Sequence, residues 1–129
     1  MADRGRHTFT YAVHPHEGGL GPSTTRHARH LNAPHVLARV PVEGPAFVVE
    51  PEGVLLDSVM VDAESGDLIL RLYESAGIPC VASVSGGLAG AAPQDSEARR
   101  VTLLLDDLGP VELERIPLRP FEIVTLRVP

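Results

Sequence analysis

The chain reads as an all-β protein, an antiparallel β-sandwich of short strands with one short helix near the N-terminus. Three observations carry that expectation. Twelve prolines and twelve glycines among 129 residues cut the sequence into segments too short for long helices. From Ala46 onward, short apolar runs recur between turn signals, and several alternate with period two. The turn signals return at the ~8–12-residue spacing of an antiparallel sandwich.

Taken in order, His7 to His14 alternates, with Phe9, Tyr11 and Val13 on one face and Thr8, Thr10 and Ala12 on the other. That pattern predicts a strand with one buried side. Pro15 stops it, and Gly18, Gly19 and Gly21 form a loop. Ser23 or Thr24 is the candidate cap of a short helix running to about Leu31, ended by Asn32 and Pro34. Ala46–Glu50 and Val54–Val61 are the next strands, with a turn over Asp62–Asp67 containing Ser65 and Gly66. Leu68, Leu70 and Leu72 alternate with Ile69, Arg71 and Tyr73, so one face is core. A turn at Gly77 leads to a strand over Pro79–Ser85, and Ser85–Ser96 is a long Gly- and Ala-rich loop. Arg100–Leu105, Val111–Ile116 and Phe121–Val128 complete six or seven strands. The last does not alternate cleanly: either both its faces are covered, as in a central strand, or a bulge shifts its phase.

At this length the chain is one domain, or one domain plus a piece of another. A net charge of −6 with no clustered cations argues against nucleic acid. All eleven basic residues are arginine, and Arg99–Arg100 is the only adjacent pair. No apolar run approaches the roughly 18 residues of a membrane span. The start, MADRGRHTF, carries no apolar stretch of the secretory kind. One cysteine, Cys80, excludes an internal disulfide and fits a reducing compartment, so the expected location is cytoplasmic.

All six histidines, His7, His14, His16, His27, His30 and His35, lie in the first 35 residues. His14 and His16 would share a strand face, and His27 and His30 a helix face. A tetrahedral zinc site needs three or four converging ligands, and no known spacing is completed here. The expectation is therefore no metal site. Asp57, Glu74, Glu112, Glu114 and Glu122 are the central carboxylates, expected as solvated strand-face groups. Asp57 interrupts the apolar face Leu55, Val59, Val61, as a paired buried group or as one facing another domain. Cys80 shares a small apolar face with Ala82 and Val84 and reads as core. No G-x-S-x-G context surrounds a serine, and the Gly86–Gly90 run lacks the Lys-Ser/Thr of a phosphate loop. With no tryptophan, Tyr73 beside Arg71 is the sole plausible sugar-stacking position.

Four segments carry a resemblance. They are Tyr11, Pro15, His16 and Gly18 in the first, Leu31, Asn32 and Pro34 at the end of the helix, Arg71 to Glu74, and Phe121 to Arg127. In that order they resemble the C-terminal end of a glycoside hydrolase family 38 α-mannosidase; the likeness breaks between about Ser83 and Glu97. The resemblance implies that residues 1–21 are a strand and loop of a preceding large β-domain. Residues 22–33 would then be a helical connector, and residues 34–129 the C-terminal β-sandwich. It implies a parent enzyme that hydrolyses α-mannosides with retention. Its aspartate nucleophile and its zinc, or another divalent metal, would lie in a catalytic domain absent from this chain. The fragment is expected to be inactive alone, with no catalytic residue and no cofactor of its own. His16, Arg71 and Tyr73 are the candidate contacts to an interface or a glycan, with a turn-stabilising role the alternative for His16. Expected partners are the catalytic domain, a second copy through residues 7–14, and a weakly held carbohydrate, but neither nucleic acid nor membrane. The alternative reading is a free-standing sandwich that binds carbohydrate or a protein.

Overall fold

The structure, a computed structural model, describes residues 5–33, 44–87 and 97–129. Helix α1 (Pro22–Asn32) is followed by strands β1 (Val48–Glu50), β2 (Val54–Val61), β3 (Leu68–Glu74) and β4 (Cys80–Ser85). Strands β5 (Arg99–Val101), β6 (Asp107–Pro110), β7 (Ile116–Leu118) and β8 (Ile123–Val128) complete the order. They form two antiparallel sheets, a five-stranded one in the order β2-β3-β8-β5-β6 and a three-stranded one in the order β1-β4-β7. This is the expected sandwich.

The two sheets close on one core. Leu70 and Leu72 of β3, Val124, Leu126 and Val128 of β8, Ala82 and Val84 of β4, and Ile116 and Leu118 of β7 are all buried in it. Each such aliphatic side chain contributes about 1.5–3 kcal/mol of burial. Cys80 packs against this cluster, as its strand face predicts.

Strand β8 lies between β3 and β5. Val124, Leu126 and Val128 point into the core, while on the opposite face Thr125 is buried and Ile123 is 56% exposed. Its pairings run without a register shift, so no bulge shifts its phase: the inward residues alternate, and Ile123 is an outward apolar residue at its start. The bulge lies in β2 instead, between Leu56 and Ser58. It lifts Asp57 out of the alternation, so the face it was expected to share is rebuilt: Val54 and Leu56 precede it, Val59 and Val61 follow.

Several expected elements differ. Residues 7–14 form no strand, and Phe9, Tyr11 and Val13 are about four-fifths exposed (80%, 80% and 85%). A strand exists only by pairing, and the sheet edges here are occupied or blunted. Arg26 and Arg29 of α1 donate to the carbonyls of Glu52, just before β2, and Asp57 within it, and Pro110 and Pro117 lack the N–H that β6 and β7 would offer a further strand. The helix begins two or three residues earlier than Ser23 or Thr24 would set, with Gly21 as its N-cap and Pro22 at the first helical position. Strand β5 ends at Val101 because the Thr102 hydroxyl accepts the Leu104 and Asp106 N–H groups and turns the chain. The strand expected over Val111–Ile116 is absent: residues 111–115 are the connection from β6 to β7, which lie in different sheets, turned by the bond from Arg115 N–H to Glu112 O (2.9 Å), and only Ile116 enters β7. Most of the expected Ser85–Ser96 loop lies outside the described residues.

Candidate functional site

Strand register places Arg71 and Tyr73 on the outer face of the five-stranded sheet. Tyr73 stands opposite Leu55 and Ile123, and Arg71 opposite Ser58 and Thr125. Directly opposed residues of an antiparallel pair share a face, so these six form one patch. Both Arg71 and Tyr73 are half-buried. The Arg71 Nε and the Ser58 Oγ are buried without a hydrogen-bond partner. Beside Thr125 a cavity of about 280 Å³ opens, lined among others by Thr102, Leu103, Leu108, Arg119, Glu122 and Ile123.

His16 is elsewhere. Its Nδ1 lies 3.4 Å from Glu17 O and its ring 6.0 Å from that of His14. Among the described residues no hydrogen bond, ion pair or ring contact links it to Arg71 or Tyr73. His14 stacks on His27 at 3.9 Å and 19°, and His27 Nδ1 is tied to Ser23 O at 2.8 Å. The histidines thus meet face to face, a geometry opposed to sharing one metal ion through their lone pairs. Among the described residues no three metal-ligating side chains converge.

The carboxylate that pattern reading misplaced is Glu74. It is 1% exposed rather than solvated. Its Oε1 accepts the Ala76 N–H (2.7 Å), and its Oε2 accepts those of Gly77 (2.8 Å) and Phe121 (2.9 Å). One side chain therefore ties the end of β3 to the turn before β8, joining the two segments that carried the sequence resemblance. Burial alone would raise its pKa. The N–H groups of Phe121, Ala76, Gly77 and Ile78 outweigh that and hold the carboxyl below its usual range. The Phe121 ring lies where a Cβ at Gly77 would stand, 2.6 Å from its ideal position, and Gly77 has φ +71°. No larger residue fits that turn. The missed signal was parity, since Glu74 continues the inward series Leu68, Leu70, Leu72 just before Gly77.

Glu122 is the second such group. Its Oε1 accepts from Arg100 (2.8 Å) and Arg119 (2.9 Å), and its Oε2 accepts the Arg119 N–H (2.7 Å). Burial again opposes ionisation, but Arg119 and Arg100 win and keep it a carboxylate. A glycosidase acid needs a raised pKa and a free carboxyl O–H to donate to the scissile oxygen. Glu74 and Glu122 have the reverse on both counts. Asp57 is held by Arg29 at 2.7 Å and docks α1 on the β2 bulge, while Glu112 and Glu114 are exposed, as expected. Burial, then the Glu74 charge, pushes the Cys80 thiol up, away from nucleophile chemistry.

Residues 53–126, more than half of the chain, match the glycosyl hydrolases family 38 C-terminal beta sandwich domain. The chain belongs to that family. It is similar to alpha-mannosidase 2C1 of Mus musculus, at 38% identity over 87 residues, and to that of Homo sapiens, at 40% over 86 residues. Each alignment takes in 59% of this chain and 8% of the relative, so the chain spans a small part of the curated proteins it matches. No solved structure matches it. In this family 38 sandwich the matched stretch begins at the turn before β2 and runs nearly to the end of β8. No described helix is long and apolar enough to cross a membrane.

Proposed function

We propose that this chain is a non-catalytic structural domain of an α-mannosidase system. In this reading it packs against a catalytic region carried on other polypeptide and supports that region's site without contributing reacting groups. The observation that carries it is the family match across β2 to β8, together with the commitment of the buried Glu74 and Glu122 carboxylates to internal bonds. The substrate class is α-linked mannosides, and zinc or another divalent cation belongs to the catalytic region. Residues 7–14, with Phe9, Tyr11 and Val13 exposed in a row, are the segment that pairs outside this chain. Their destination is a sheet of the preceding β-domain or, in the isolated chain, a second copy. The functional setting is the cytoplasm.

The test is hydrolysis of an aryl α-mannoside by the purified chain, with and without zinc. It is followed by addition of the chain to an α-mannosidase truncated before its C-terminal sandwich. No turnover alone and recovered activity on mixing is the expected result. Metal-dependent turnover by the chain alone would overturn the reading.

A further inference from the structure

Three arginines stand on the outer face of the five-stranded sheet in register: Arg71, Arg127 and Arg99. Arg99 pairs with Asp107 at 2.5 Å, and Arg127 lies 3.7 Å from Asp62 and 3.8 Å from Asp67. Among the described residues, Arg71 alone of the three has no carboxylate. Its Nε, the Ser58 Oγ across the strand pair and the Arg127 Nε are buried polar atoms without a hydrogen-bond partner. Arg71 is thus a half-buried cation on this face with no counter-charge among the described residues.

We infer that this outer face is a docking surface for a partner polypeptide segment that presents a carboxylate flanked by apolar side chains. The carboxylate accepts from the outward N–H groups of the Arg71 guanidinium. The neighbouring apolar side chains meet Tyr73 and Ile123 and enter the cavity edged by Leu103 and Leu108. Ile123 is 56% exposed, Leu103 66% and Leu108 60%, so that edge is open. Charge complementarity chooses an acidic segment: the cation is fixed and half-desolvated, where one charge-assisted pair is strongest. A neutral glycan would leave the arginine charge unanswered. Identifying the partner with the catalytic region rests on the proposed function; the acidic, apolar chemistry does not.

The experiment uses the whole chain, immobilised and panned against a random-peptide phage library, with enriched peptides measured by fluorescence anisotropy. Enriched peptides are expected to carry Asp or Glu among apolar residues. Their affinity should fall at least about tenfold with Arg71→Gln and with Ile123→Asp. Arg115→Gln, which removes the same charge from the β6–β7 turn, should leave it within about twofold. Amide shift changes in the unmutated chain should centre on Ser58, Arg71, Tyr73, Ile123 and Thr125, a readout independent of how the variants fold. Peptides without an acidic residue, equal losses for Arg71→Gln and Arg115→Gln, or shifts centred elsewhere would overturn the inference. So would an absence of enriched peptides, or a dimer that the same substitutions dissolve. None of these readouts involves mannoside hydrolysis, so the two proposals fail separately.

Discussion

The two ends of this molecule are built on opposite terms. From β2 to β8 the chain encloses itself: core side chains from both sheets interlock, and Glu74 and Glu122 satisfy the turns that close them. From residue 5 to residue 33 it encloses nothing. Helix α1 has no buried residue, and its described anchors are two arginine side chains reaching the β2 edge. The lesson is that amphipathic patterning does not make an element stable; a partner surface does. His7–His14 alternates as well as β3 does, yet only β3 has strands on both sides.

The comparison breaks most sharply at Glu74. Glu74→Ala strands the N–H groups of Ala76, Gly77 and Phe121 and should cost about 4 kcal/mol, read as a lower urea midpoint. Leu72→Ala, fully buried in the core, should cost about 3 kcal/mol in the same measurement. Neither substitution should alter the helical signal of residues 22–32, followed by amide exchange.

Acid sharpens the contrast. Glu74 and Glu122 both titrate below their ordinary value of 4.5 in the folded chain. Their contribution to stability is therefore complete above about pH 4.5 and is lost as pH falls from there through their folded pKa values. Urea unfolding between pH 6 and pH 3 should show that slope, and Glu74→Gln should flatten it. Asp107, held by Arg99 down to about 2, follows the same sign over a lower window, muted by its solvent exposure.

Smaller effects belong to the other end. Arg29→Ala removes the Asp57 pair and should cost the sandwich at most about 1 kcal/mol, while exchange across α1 rises. Deleting residues 1–20 should shift the urea midpoint by less than about 0.5 kcal/mol in equivalent stability. A large loss on that deletion would mean that the N-terminal segment is integral to the sandwich.

The sequence by itself left the last strand's place in the sheet open, but determined the class of fold and the approximate limits of β2, β3 and that strand. Those features follow from alternation and from Gly and Pro punctuation, which are local and leave a periodic trace. It determined too that Arg71 and Tyr73 share a face, because parity along one strand is enough. Only the tertiary structure decided the rest. Whether β5 continued past Val101 depended on a Thr102 hydroxyl, and residues 111–115 cross from one sheet to the other instead of forming a strand. Glu74 and Asp57 looked alike as carboxylates on apolar strands. One became a buried acceptor of three backbone N–H groups and the other an exposed anchor for a helix. Their fates were set by residues 47 positions later and 28 positions earlier, Phe121 and Arg29, and no local pattern encodes a partner at that distance.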